Sequence, residues 1–75
     1  MKRYHEIDDS VKIDFTVPKE LQELFDMAED ADKADDFGTY LSLADTIDTY
    51  SKNCYAAGVI SEGQWNMITR RYKQW

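Results

Sequence analysis

The middle of the chain, residues 37–55, carries the pattern that most restricts how this protein can fold. Its apolar residues recur at helical spacing and cover about 200° of a helical wheel, roughly twice the stripe of an ordinary surface helix. A helix with so wide an apolar arc has to pack against two neighbours. The arc consists of Phe37, Tyr40, Leu41, Leu43, Ala44, Ile47, Tyr50, Cys54 and Tyr55.

A shorter amphipathic segment precedes this middle helix. Pro18 suits the first position of a helix, and apolar residues follow it at spacings of three and four. Asp32 would fall in the centre of the apolar stripe, where burying a carboxylate is costly, so we expect the first helix to end near residues 31–34. The stripe consists of Leu21, Leu24, Phe25, Ala28 and Ala31.

Capping signals separate the segments. Asp35 or Asp36 can cap the middle helix, and Gly58 suits the position just beyond its end. Ser61 and Gln64 match a capping box that starts a third helix. The predicted fold is all-α, a three-helix bundle with the second helix in the middle and neighbouring helices antiparallel. The third helix presents one apolar face made of Trp65, Ile68, Tyr72 and Trp75.

Residues 1–17 form an N-terminal arm with a different pattern, ahead of a helical domain of residues 18–75. Val11, Ile13, Phe15 and Val17 alternate with polar residues, which is typical of a half-buried strand. No other segment alternates in this way. The arm could add a strand to the sheet edge of a partner or of a second copy, or it could pack as an extended segment over the bundle, with Ile13 and Phe15 in a groove.

Composition and charge narrow the function. The formal net charge is −6, so the chain repels nucleic acid and anionic membrane surfaces, and we expect neither as a direct partner. Leu, Ile, Val and Phe make up only a fifth of the residues, and ten aromatic residues have to complete the core. One cysteine, no long apolar run and no signal-peptide core predict a cytoplasmic protein.

Enzymatic interpretations find little support. His5 lies in the arm and Cys54 on the middle helix, so a Cys–His pair would require the arm to fold back over that helix. An acidic turn from Asp30 to Asp36 lacks the glycine and glutamate of a calcium-binding loop and suggests at most weak cation binding. We therefore expect no enzyme activity, no cofactor and no metal site.

The charges are segregated along the chain. Residues 20–48 hold ten acids and one base, a net of −9, whereas residues 49–75 hold four bases and one acid, a net of +3. In an up-down-up bundle the first and third helices end near each other, so we expect Arg70 or Arg71 to pair with acids near the end of the first helix. The outer face of that helix, with no expected internal partner, carries Glu23, Asp26, Glu29 and Asp30.

Two stretches resemble known families. Residues 18–26, 58–64 and 71–72 resemble small helical proteins of unassigned function encoded on mobile elements of Gram-positive bacteria. Residues 57–62 also resemble the opening of the second helix in the short C-terminal domain family, although residues 63–65 depart from the two acids and phenylalanine usual there. Both resemblances imply a helical module in interactions or regulation, and neither carries a catalytic residue onto this chain.

These observations favour a non-enzymatic protein–protein interaction module, an accessory or regulatory protein of a mobile genetic element. Its partner is another protein of unknown identity, and a homodimer remains open. The alternative is an acidic inhibitor that mimics nucleic acid and blocks a DNA- or RNA-binding enzyme. The candidate protein-binding residues are Glu23, Asp26, Glu29 and Asp30 on the first helix and Val11, Ile13 and Phe15 on the arm.

Overall fold

A computed structural model describes residues 7–72 as an extended segment followed by three helices. The helices are α1 (Lys19–Lys33), α2 (Phe37–Ala56) and α3 (Glu62–Arg71). Both α1 and α3 pack against α2, which confirms the predicted all-α bundle with the second helix in the middle. Among the described helices, none combines the length and the hydropathy needed to cross a bilayer.

The end of α1 is where we predicted it, but for a different reason. Asp32 lies inside the helix and is only 4 % exposed, so the cost of burying its carboxylate does not terminate α1. The turn terminates it instead. Asp35 adopts a left-handed φ of 58°, and its N–H donates to the Asp32 carbonyl while the N–H of Asp36 donates to that of Ala31.

Of the two candidate caps for α2, Asp36 is the one used. Its carboxylate accepts hydrogen bonds from the Thr39 hydroxyl at 2.7 Å and from the Thr39 amide at 3.3 Å. These two donors hold the pKa of Asp36 below its usual value. The short connection and the 3.4 Å approach of the Tyr50 hydroxyl to Glu20 arrange α1 and α2 as an antiparallel hairpin.

The predicted signals for the turn between α2 and α3 are both confirmed. Gly58 has a φ of 78°, a left-handed conformation that a side chain would strain, and the N–H of Val59 closes the turn on the Cys54 carbonyl at 2.9 Å. At the start of α3, Ser61 and Gln64 exchange side-chain and backbone hydrogen bonds as a capping box.

The core lies where the three helices meet. Its largest fully buried side chains include Tyr40 and Ile47 from the middle of the α2 arc. The predicted arc is too wide by one member, because Tyr55 is 38 % exposed. On α3, Ile68 and the capping residue Tyr72 are buried, whereas Trp75 lies outside the described residues.

The described part of the arm packs over the bundle as an extended segment. Ile7 and Val11 are buried, and Ile13, Phe15 and Val17 contact the core side chains. The chain bends at Val11 and again at Phe15, and its one sheet-like contact in residues 7–72 is an isolated antiparallel bridge between Ile7 and Tyr72. The alternation therefore reflects packing against helices, and the strand interpretation is wrong for this part of the arm.

Candidate protein-binding surfaces

The outer side of α1 carries an exposed row of carboxylates, which we call the acidic face: Glu23, Asp26 and Asp30. Spacings of three and four residues place them on one side of the helix, about 4.5 and 6 Å apart along its axis. Asp26 accepts a hydrogen bond from the amide of Gln22 at 3.1 Å. The acidic face is thus a fixed array of negative charge supplied by a single rigid element.

An exposed apolar side chain lies beside this array. Met27 is 52 % exposed and lies one helical turn after Glu23 and three residues before Asp30. Met27 was not among the predicted binding residues, although a signal existed: it is the one large apolar residue of α1 outside the buried stripe. Its flexible, polarisable side chain is well suited to contact with another protein.

Glu29 does not belong to the acidic face, which corrects the prediction that it lacks an internal partner. It is half-buried and accepts a hydrogen bond from the Tyr72 hydroxyl at 2.8 Å. The Arg71 guanidinium lies 3.6 Å away, which confirms the expected pairing between the ends of α3 and α1. Position 29 lies one helical turn after buried Phe25 on the same face of α1, so its side chain turns toward α3 rather than toward solvent.

Arg71 joins three parts of the molecule. Its Nη1 donates to the Val11 carbonyl at 2.8 Å and to the Asp8 carbonyl at 3.3 Å, and its Nε donates to the Tyr72 hydroxyl at 3.3 Å. The Tyr72 ring stacks on Phe25 of α1 with a centroid separation of 4.7 Å. The guanidinium therefore ties the arm to both α1 and α3.

Tyr72 occupies an unusual electrostatic position in this network. Burial raises the pKa of its hydroxyl far above the ordinary value, and the hydrogen bond to Glu29 raises it further. The hydrogen bond and positive charge of Arg71 act in the opposite direction but do not cancel these effects. Tyr72 therefore stays protonated and donates to Glu29 throughout the neutral pH range.

The arm does not offer the binding surface predicted for it. Val11 is buried, and Ile13 and Phe15 are half-buried against the core. Most of their apolar area is already used inside the molecule, where they pack against the core side chains. A partner could reach only part of Ile13 and Phe15 unless the arm detached.

An open cleft of about 330 Å³ lies between the arm and the ends of α1 and α3. Ile13, Phe25 and Tyr72 provide its apolar lining, and charged groups on both sides balance each other. Most donors of Arg71 are already taken by the arm, Glu29 and Tyr72. The lining residues are Asp9, Lys12, Ile13, Gln22, Phe25, Glu29, Arg71 and Tyr72, a set without a thiol or an imidazole.

The described residues include two further candidates for chemistry, Cys54 and the acidic turn. Cys54 is buried, and burial together with the charge of Glu20 raises the pKa of its thiol, which disfavours the reactive thiolate. Its proposed counterpart His5 lies outside the described residues. Within residues 7–72 no group of three metal-ligating side chains converges, and in the acidic turn Asp32 is buried while Asp36 caps α2.

The chain was also compared with known proteins. Neither models of protein families, nor curated proteins, nor solved structures provide a match to it.

Proposed function

We propose that this protein is a non-enzymatic interaction module that binds another protein through the acidic face of α1. The observation that carries the proposal is the exposure of Met27 beside three exposed carboxylates on one helix. Protein interfaces combine apolar contacts with surrounding charged and polar groups. The matching partner surface has basic side chains beside an apolar recess.

The exposure of Met27 also makes nucleic-acid mimicry the weaker of the two candidate functions. A nucleic-acid mimic has to reproduce a phosphate backbone, which presents regularly spaced negative charges and no apolar side chain between them. The spacing of the acidic face is uneven, and the exposed side chain of Met27 adjoins it. These features favour binding to an interaction surface of another protein over occupation of the DNA- or RNA-binding site of an enzyme.

The resemblance to small helical proteins of mobile elements suggests the setting. An accessory or regulatory protein of such an element would act on a host or element protein in the bacterial cytoplasm. The packing of the arm, which Arg71 fastens to the bundle, supports α1 rather than the arm as the recognition element.

Affinity capture from a bacterial cytosol tests the proposal. The bait is the wild-type chain, a charge-reversed variant (Glu23→Lys, Asp26→Lys and Asp30→Lys) and, separately, Met27→Ser. We expect a specific partner to be captured by the wild type and lost with both variants, because each removes one half of the recognition surface.

A charge-matched control reverses three exposed acids elsewhere, with Asp9→Lys, Asp14→Lys and Asp45→Lys. This variant has the same net charge as the α1 variant and should retain the partner. Equal capture by all variants contradicts the proposal. Loss of a DNA-binding partner on addition of DNA, with no effect of Met27→Ser, would instead support nucleic-acid mimicry.

A further inference from the structure

A second exposed surface lies where α2 passes into α3, and we call it the apolar corner: Tyr55, Ala56, Ala57, Val59 and Trp65. Tyr55 is 38 % and Val59 is 55 % exposed, and the two alanines between them are exposed as well. The Tyr55 ring stacks on the half-buried Trp65 ring, with centroids 5.0 Å apart and planes inclined by 14°. The apolar corner is thus a preformed, uncharged surface.

Two charges of opposite sign flank the apolar corner. Lys52 lies on α2, three residues before Tyr55. Glu62 is the first residue of α3 and follows Val59 by three residues. Both are exposed, and neither forms a hydrogen bond or an ion pair with another described residue. A partner that fits this surface therefore presents an apolar centre, an acid facing Lys52 and a base facing Glu62.

We propose that this partner is a second copy of the chain, bound through the apolar corner about a two-fold axis. A two-fold axis reverses the order of the flanking charges, so that Lys52 of each copy faces Glu62 of the other. The stacked aromatic residues and Val59 then meet their own counterparts at the centre. The surface is complementary to itself in both charge and hydrophobicity.

The distribution of charge favours this region for self-association. Residues 20–48 carry a net charge of −9, so two copies repel each other where their α1 helices approach. The charged residues that flank the apolar corner are Lys52 and Glu62, whose charges cancel. Because the corner comprises only five residues, against the roughly 20–30 residues per partner of a standard interface, we expect a weak dimer that forms at high micromolar concentrations.

Sedimentation equilibrium over a range of concentrations tests the proposal. The average mass of the wild type should rise from 8.8 kDa toward twice that value with concentration. Val59→Asp should weaken association at least tenfold, because it places two carboxylates in an apolar centre. The matched control is Met27→Asp, which alters a side chain of similar exposure on α1 and should leave association unchanged.

A charge exchange tests the two-fold arrangement directly. Lys52→Glu and Glu62→Lys should each weaken the dimer about tenfold, because each places like charges opposite one another at two symmetric positions. The double variant restores opposite charges and should recover the wild-type affinity within about twofold. Recovery would support the proposed axis, since each residue is restored only by a change in the other.

Three results would overturn the proposal: a monomer up to about 1 mM, a dimer that tolerates Val59→Asp, or a double variant as weak as the single ones. In the first case the apolar corner is left for a different partner. None of these results affects the function proposed for the acidic face, which uses residues of another helix.

Discussion

At the scale of single residues, Asp35 occupies a backbone conformation for which glycine is the preferred residue. It adopts a φ of 58° in the turn that ends α1, a position that most helices fill with glycine. Gly58 serves the same role at the end of α2. The two turns have the same hydrogen-bond pattern, so they allow a direct comparison of residue type in one conformation.

We predict that Asp35→Gly raises the free energy of unfolding by about 0.5 kcal/mol, because relief of the left-handed strain exceeds the added chain entropy. Urea unfolding measures the change. Asp35→Asn is the control for charge, because it removes the carboxylate and keeps a side chain that tolerates this conformation. Equal stabilisation by both variants would show that charge rather than backbone strain is responsible.

The raised pKa of Tyr72 leads us to predict a loss of stability at alkaline pH. Burial and Glu29 raise its pKa in the folded state above the unfolded value of about 10. A raised pKa stabilises the protonated form, so this contribution is fully present below pH 10 and is lost as the pH rises above it. The free energy of unfolding should therefore fall above about pH 10 as Tyr72 comes to favour ionisation in the unfolded chain.

The comparison variant for this prediction is Tyr72→Phe, which keeps the stack on Phe25 and removes the ionisable hydroxyl. At neutral pH it should be less stable by about 1 kcal/mol, the value of the lost hydrogen bonds. Above pH 10 the difference from the wild type should shrink. A constant difference between pH 8 and 11 would contradict the assignment of this titration to Tyr72.

At the scale of elements, α3 depends most on its cap. It has only ten residues, too few to be stable as an isolated helix. We predict that Ser61→Ala costs about 1 kcal/mol of stability, because it leaves the backbone N–H of Gln64 without its acceptor, the Ser61 hydroxyl. Ser61→Asp keeps an acceptor at the same position and should remain close to the wild type.

Amide hydrogen exchange locates this effect. Ser61→Ala should speed exchange in the first turn of α3 and leave α1 unchanged, since α1 begins at Lys19 and has no side-chain cap of its own. Uniform acceleration across all three helices would indicate that the cap contributes only to global stability.

The elements also show which predictions from local sequence patterns agree with the structure. The capping box and the glycine at the end of α2 act within a few residues, and both were predicted from the sequence. The role of Asp32 was mispredicted, and the alternation of the arm left two arrangements open, because the environment of both is not local. The bundle accommodates the buried carboxylate, and the arm alternates because helices rather than a neighbouring strand lie beneath it.

At the scale of the whole molecule, Arg71 holds the arm, α1 and α3 together. We predict that Arg71→Lys lowers the free energy of unfolding by about 1–2 kcal/mol, because an ammonium group cannot serve two carbonyls, a hydroxyl and a carboxylate at once. Chemical denaturation measures this loss, and exchange of the Asp8 amide, which donates to the Arg71 carbonyl, reports on release of the arm.

Arg70→Lys is the matched control. Arg70 is exposed and adjacent in sequence, so its replacement should change stability by less than about 0.5 kcal/mol. If both variants behaved alike, the network around Arg71 would contribute nothing beyond surface charge.

The sequence by itself determined the number of helices, their boundaries and the place of the second helix in the middle. These depend on apolar periodicity and on caps, which act over a few residues. Only the tertiary structure decided which charges are available to a partner. Glu29 is taken by Tyr72 and Arg71, more than forty positions away, and Met27 is exposed because neither α2 nor the arm covers it. Pairing across such a distance depends on how whole helices pack, and no local pattern encodes it.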